Sequence, residues 1–256
     1  MIMEKEEFFL KRIRELANIS YQRDIVTFSD FLNLNEQNLI HTLIHKNQSA
    51  LKGVLMEYSG GYIHAERQMA AFYPVDFSAS PEYPIDCLKI KAKSEKFSEN
   101  LSHRDYLGAL MNLGVDRSMV GDIMVQEHTA WMFCCRKLTP FFLENLCRVR
   151  HTDVLISKTE NPLELPEPNL LLISGTCASV RLDALIALAF QSSRSNMVSC
   201  IEKGTVFVNG RLITSNGYKP KEGDIISVRG KGRFRYEGEN GKSKKGRIGI
   251  QILKYV

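Results

Sequence analysis

Three sets of residues in this chain of 256 have types and spacings that could do chemistry. The first is a histidine pair, His41 and His45, one helical turn apart, a spacing that can hold a metal ion. No third ligand or catalytic carboxylate accompanies it, so no metal is expected. The second is six cysteines, Cys87, Cys134, Cys135, Cys147, Cys177 and Cys200, without a single C-x-x-C pair. That argues against a zinc site and a disulfide framework, and for a reducing cytoplasmic setting. The third is a series of cations from Arg181 to Arg235, broken by short turns. Gly230-Lys231-Gly232 lacks the spacing and context of a cofactor or phosphate-transfer loop. No Ser/His/Asp or Cys/His grouping stands in a motif. No catalytic residue and no cofactor are therefore expected, and the chemistry left is the holding of phosphates by cations.

The charge distribution agrees. The net formal charge is +5, but residues 181–256 hold fifteen Lys and Arg against six Asp and Glu, a net of +9, and residues 1–180 carry −4. A field gathered at one end suits a polyanion, whose condensed counterions are released on binding. The elements that must position these cations are two short helices, a hairpin and a strand. Arg181 to Phe190 puts Leu182, Leu185, Ile186 and Ala189 on one apolar face. A second helix opens at Ser192-Ser193 and stops at Gly204. Arg194 lies in its first turn, against the helix dipole, which makes sense if an anion docks there. Val206 to Val208, Asn209-Gly210 and Arg211 to Ile213 read as a tight hairpin. Glu222-Gly223-Asp224 turns into a strand from Ile225 to Arg229.

The series R-L-D, S-R, I-x-K-G-x-V-x-V-N-G and G-D-x-I over about fifty residues (Arg181 to Asp224) resembles the RNA-binding domain of small-subunit ribosomal protein S-four, the alpha-L motif. The resemblance implies a basic surface for structured RNA made by Arg181, Ser193, Arg194, Asn196 and Lys203, with Arg211, Lys219 and Lys221 beside it. Pseudouridine synthases that carry such a module also have a catalytic aspartate in R-L-D. Theirs lies in a separate large domain for which this chain has no room, and here Arg181-Leu182-Asp183 opens the first helix of the module.

The rest of the chain reads as an α+β multidomain protein. Residues 1–76 form a helical region, with Phe8, Phe9, Ile13 and Leu16 on one face of the first helix. The opening residues alternate charged with apolar side chains, and no apolar run is long enough to span a bilayer, so neither signal peptide nor membrane segment is expected. Residues 77–160 give the order βαββαβ of a ferredoxin-like split βαβ domain, the topology RNA-recognition motifs share. Its third strand, His128 to Cys135, lacks their aromatic signature, and Trp131 and Phe133 read as core. Residues 161–179 are a proline-stiffened linker and a lead-in strand. Residues 180–256 hold the S-four-type module and a basic hairpin extension. There Arg229, Lys231, Arg233 and Arg235 meet RNA, and Lys242, Lys244 and Lys245 form a tip that either contacts RNA or is merely solvated.

Between the first two regions stands Gly60-Gly61-Tyr62-Ile63-His64-Ala65-Glu66-Arg67. This G-G-Y-x-x-A-E-R stretch, the domain order and the C-terminal module together resemble the YlmH-like family of bacterial RNA-binding proteins. Arg67 is then either part of an internal turn or a second contact with RNA or protein. The resemblance implies a non-enzymatic, monomeric protein of the translation machinery. It would bind rRNA and tRNA on the large ribosomal subunit, in rescue or quality control of stalled ribosomes. Two other readings stand beside it: an interaction adaptor in cell division or regulation, and an RNA-modifying enzyme of pseudouridine synthase or methyltransferase type.

Overall fold

A computed structural model describes residues 2–46, 51, 53–63, 65–94, 98–159, 165, 170–242 and 246–255. The chain divides into two compact units, Met1–Pro166 and Glu167–Val256.

The first unit begins with helices α1 (Ile2–Arg23) and α2 (Leu34–Lys46). They bury Ile13, Leu16, Ile40 and Leu43 against a small antiparallel sheet. That sheet has the order β1-β3-β2, with β1 at Thr27–Phe28, β2 at Val54–Ser59 and β3 at Met69–Pro74. The expectation of a helical region over 1–76 thus holds for its two helices and is corrected between and after them, where the three strands lie. Every residue of β3 is buried, so Met-Ala-Ala-Phe-Tyr-Pro shows no alternation, and periodicity cannot tell such a run from a buried helical segment. Phe8 corrects the reading of α1: it is 75% exposed, and Leu10 joins Phe9, Ile13 and Leu16 on the packed face.

The same unit continues with β4 (Ile85–Ala92), α3 (His103–Asn112), β5 (Val120–Gln126), β6 (Thr129–Cys135), α4 (Thr139–Asn145), β7 (Arg148–Val149) and β8 (Thr152–Thr159). The sheet order is β5-β6-β4-β8-β7, antiparallel throughout. Strand β6 lies between β4 and β5, which is the split βαβ arrangement. α3 starts as its sequence directs, with the Ser102 N–H donating to the Asp105 carboxylate at 2.8 Å. α4 ends early, because Leu146 leaves helical geometry and Arg148–Val149 pair with β8. Both helices pack on one sheet face, burying Leu88, Ile90, Ala130 and Met132 with Tyr106, Leu110 and Phe142. The buried Asp86 carboxylate accepts from the Thr139 hydroxyl at 2.8 Å and pairs with Lys158 at 3.2 Å and Arg136 at 3.3 Å, tying β4 to the start of α4.

The second unit contains β9 (Leu170–Cys177), α5 (Leu182–Ala189), α6 (Arg194–Glu202), β10 (Val206–Val208), β11 (Arg211–Leu212), β12 (Ile225–Val228), β13 (Gly232–Lys242) and β14 (Ile248–Tyr255). Its six-stranded sheet runs β11-β10-β12-β13-β14-β9. The lead-in strand β9 pairs with β14 from Cys177–Ile248 to Leu170–Tyr255, so chain segments more than seventy residues apart close the sheet edge. Helices α5 and α6 bury Leu182, Leu185, Ile186, Met197 and Ile201 on the core face, against Val206, Ile226, Phe234 and Ile252. Of the proline-rich stretch 161–169, all but Leu165 lies outside the described residues, as do Lys244 and Lys245. Among the described residues, no helix is long and apolar enough to cross a membrane.

Candidate nucleic-acid interface

In the second unit, Arg181 is the N-cap of α5. Its guanidinium lies 3.2 Å from the Asp183 carboxylate and donates to the Asn216 amide oxygen at 3.3 Å. The Leu182 N–H donates to the Tyr218 carbonyl at 2.9 Å. Asp183 is 5% exposed. The R-L-D motif therefore pins the start of α5 to the loop before β12, and Arg181 is half-buried and partly neutralised.

At α6 the arrangement is open. Ser193 is the N-cap, and its hydroxyl accepts from the Asn196 N–H at 3.2 Å. The side chains of Arg194, Ser195 and Asn196 are exposed. The first N–H groups of a helix have no intrahelical acceptor and carry partial positive charge. Arg194 adds a full charge there. Arg247, just before β14, is fixed by donating to the Thr176 hydroxyl at 3.1 Å and carbonyl at 2.8 Å. Burial raises the Cys177 thiol pKa, the charges of Arg194 and Arg247 act to lower it, and the Glu239 carboxylate acts to raise it. An anion at the α6 N-terminus would meet helix N–H groups and the Arg194 guanidinium. The β14–β9 pairing sets Arg247 against Thr176, a placement with no local signal in the sequence.

Asn209 and Gly210 occupy the hairpin turn with φ of 48° and 76°. The Asn209 amide donates to the Asp224 carboxylate at 2.9 Å and accepts from the Ile225 N–H at 2.9 Å, and Asp224 also accepts from the Lys221 N–H at 2.8 Å. These matched residues lock the hairpin to β12 and leave Arg211, Lys219 and Lys221 exposed around it. Lys203 caps the C-terminus of α6, also exposed.

The extension residues divide differently. Phe234 and Tyr236 enter the core, so alternation along β13 puts Arg233 and Arg235 on the sheet face away from the helices. Arg233 lies over the Tyr255 ring at 4.5 Å and Arg229 over Phe207 at 5.7 Å. Arg235 pairs with Glu237, and Lys231 is exposed in the turn between β12 and β13. The anticipated cations thus do not form one surface. Arg194 and Lys203 stand at the two ends of α6, Arg211, Lys219 and Lys221 at the hairpin edge, and Arg229, Arg233 and Arg235 toward the opposite sheet face.

In the first unit, Arg67 turns inward. Its guanidinium donates to the carbonyls of Val120 at 3.1 Å, Phe31 at 3.0 Å and Arg117 at 3.3 Å. The neighbouring Asp122 carboxylate accepts from the Tyr62 hydroxyl at 2.8 Å and from the N–H groups of Glu66 at 2.7 Å and Arg67 at 3.1 Å. Burial lowers the Arg67 pKa, and burial with the Arg67 charge brings Arg117 down to about 10. Gly61 has φ of 91°, and a Cβ there would meet Phe133 at 2.6 Å. The G-G-Y-x-x-A-E-R stretch is thus a clamp holding the N-terminal elements to the split βαβ sheet. A second contact through the Arg67 guanidinium would have to break it. The same clamp stacks Tyr62 on Phe133 at 4.9 Å, and Phe31 and Met69 cover Phe133 and Cys135. Trp131 is buried as well, with Lys89 over its ring at 5.7 Å. His41 lies against Tyr58. Among the described residues, no three His, Cys, Asp or Glu side chains cluster as metal ligands would.

Comparison with known proteins agrees with this division. The family model for an RNA-binding domain in YlmH matches residues 79–162, and the S4 domain model matches residues 180–226. The chain is 28% identical over 244 residues to the ribosome-associated protein quality control protein P2 of Bacillus subtilis (strain 168), covering 94% of this chain and 91% of that protein. The solved structure of the cell division protein ylmH from Streptococcus pneumoniae is 24% identical, with a TM-score of 0.47, covering 64% of this chain and 92% of that one. The chain thus carries an RNA-binding domain of the kind found in YlmH and, C-terminal to it, an S4 domain.

Proposed function

We propose that this protein binds rRNA on the large ribosomal subunit, together with tRNA, and acts there as a non-catalytic, monomeric cytoplasmic factor in the rescue or quality control of stalled ribosomes. The observation that carries the reading is the α6 N-terminus. Arg194 adds an exposed cation to a helix end that is already positive, an arrangement that costs the isolated protein energy and becomes favourable when a phosphate arrives. The B. subtilis relative's name supplies ribosome association and quality control. In this reading Ser193, Arg194, Asn196 and Lys203 hold RNA, and Arg211, Lys219 and Lys221 extend the contact along the hairpin. Arg229, Lys231, Arg233 and Arg235 add contacts toward the other sheet face. Arg181 acts mainly by positioning α5. The aspartate of R-L-D is buried against Arg181, which speaks against a nucleophile there and so against the pseudouridine synthase reading.

The test is sedimentation of the tagged protein through sucrose gradients at low and moderate salt, with RNA crosslinking of the peak fractions. The expected result is co-migration with the large subunit, lost in the Arg194→Glu/Lys203→Glu double variant. Wild-type protein that stays at the top of the gradient would overturn the ribosomal assignment.

A further inference from the structure

We propose that the middle domain has its own RNA contact, on its helix side: a groove between α3 and the β7–β8 corner that takes a sugar–phosphate backbone. RNA-recognition motifs read bases on the open sheet face. Here Phe31, Met69 and Tyr62 pack over Phe133 and Cys135 on that face. The groove of about 460 Å³ lies on the other side and is lined by Arg104, Gly108, Asn112, Asn145, Arg148 and Arg150. It follows α3 from Arg104 to Leu113, about 13 Å at the rise of an α-helix, which is longer than a single small anion needs.

Three observations point to an occupant, and each is independent of the others. Gly108 sits in the middle of α3, where glycine is unfavourable, yet a Cβ built there would meet nothing within 4 Å. The fold itself has no need of that glycine, whereas a chain lying close against the helix would. Next, Arg150 holds the β7–β8 corner with φ of 51°, a conformation that favours Gly or Asn. The corner thereby carries a guanidinium to the groove where a small residue would be less strained, and such outliers gather at functional positions. Finally, the rim chemistry favours phosphate, with three guanidiniums and two side-chain amides against one carboxylate, Asp105, although the Asn145 amide also donates to the Phe141 carbonyl at 2.8 Å. Among the described residues Arg104 makes no ion pair. Arg148 meets Asp153 at 3.8 Å, and Arg150 meets Glu99 at 3.5 Å and Asp105 at 3.4 Å. Exposed pairs of this kind are weak, and a guanidinium can exchange them for a phosphate held through two donors. Asp105 is already engaged by the Ser102 hydroxyl and N–H, so its charge is directed at the helix start.

The inference rests on the reading of the chain as an RNA-binding protein, and the experiment separates the two. Binding of deproteinised ribosomal RNA and of a short oligouridylate is measured over a salt series for the full chain, for Arg194→Glu/Lys203→Glu, for Arg104→Glu/Arg148→Glu and for Gly108→Gln. The groove variants are expected to bind about tenfold more weakly, with a salt slope lower by roughly one to two. Gly108→Gln is expected to weaken binding while the melting temperature holds or rises, which excludes misfolding as the cause. A photo-crosslinker carried on Cys147, an exposed thiol at the groove, is expected to capture RNA, with Cys147→Ser as the control. If the wild type binds and only Arg194→Glu/Lys203→Glu weakens it, the groove assignment fails and the main reading stands. Crosslinks to protein without RNA in cell extract overturn the groove assignment in favour of a protein partner. A wild type that binds neither RNA overturns both.

Discussion

Arg67 and Arg194 stand in stretches that look equally functional in sequence, and the fold uses them in opposite ways. The Arg67 guanidinium donates to three backbone carbonyls within the first unit. Arg194 is exposed at a helix end where a cation is unfavourable. The first satisfies its surroundings, and the second leaves them in need of an anion. An arginine's role is thus read from what its donors already hold.

Variants can break or sharpen this contrast. The largest stability effect is expected from Arg67→Ala. It leaves the carbonyls of Phe31, Val120 and Arg117 without their donor and should cost about 3 kcal/mol. Urea unfolding checks that value, and the folded variant should bind RNA like the wild type. A cost under about 0.5 kcal/mol would mean that the clamp is ornamental.

Asp86→Asn should come next, at about 2 kcal/mol near neutral pH, because Lys158 and Arg136 lose their buried counter-charge. Burial alone would raise the Asp86 pKa, but the Thr139 hydroxyl, Lys158 and Arg136 outweigh it and hold the carboxyl below 3.8. A depressed carboxylate contributes stability that is present above its unfolded pKa and is lost as pH falls through the folded one. The wild type should therefore lose stability below about pH 4, and the variant should lose less over the same range. Parallel acid limbs in a pH series of unfolding curves would contradict the assignment.

Arg194→Glu should give the smallest stability change, and with the opposite sign. Exchanging a cation for an anion in the first turn of α6 should stabilise the isolated protein by about 0.5 kcal/mol, read from paired denaturant midpoints. Destabilisation beyond that size would mean that Arg194 has an internal structural role.

These contrasts also mark where the sequence was legible. Ser193, Asn209-Gly210, Gly204 and the Ser102–Asp105 box act within a few residues of themselves, so helix starts, stops and the hairpin could be read directly. The alternation of β13 likewise separates its cations from Phe234 and Tyr236, and the fold turns the aromatic side into the core. What could not be read depends on distant pairing. β3 is buried along its whole length and so has no alternating signature. Arg247 reaches Thr176 only through the β14–β9 ladder. Arg67 is drawn inward by Val120, Phe31 and Asp122, from elements far along the chain. Lys254, over the Phe190 ring at 5.1 Å, is another cation whose placement rests on that ladder.

The most direct test of the central claim measures unfolding free energy and ribosomal RNA affinity on the same two preparations, Arg67→Ala and Arg194→Glu. The account predicts a double dissociation. Arg67→Ala should lose stability and keep affinity, and Arg194→Glu should keep or gain stability and lose affinity, with a shallower salt dependence. Affinity unchanged in Arg194→Glu, or lost in folded Arg67→Ala, would contradict the account.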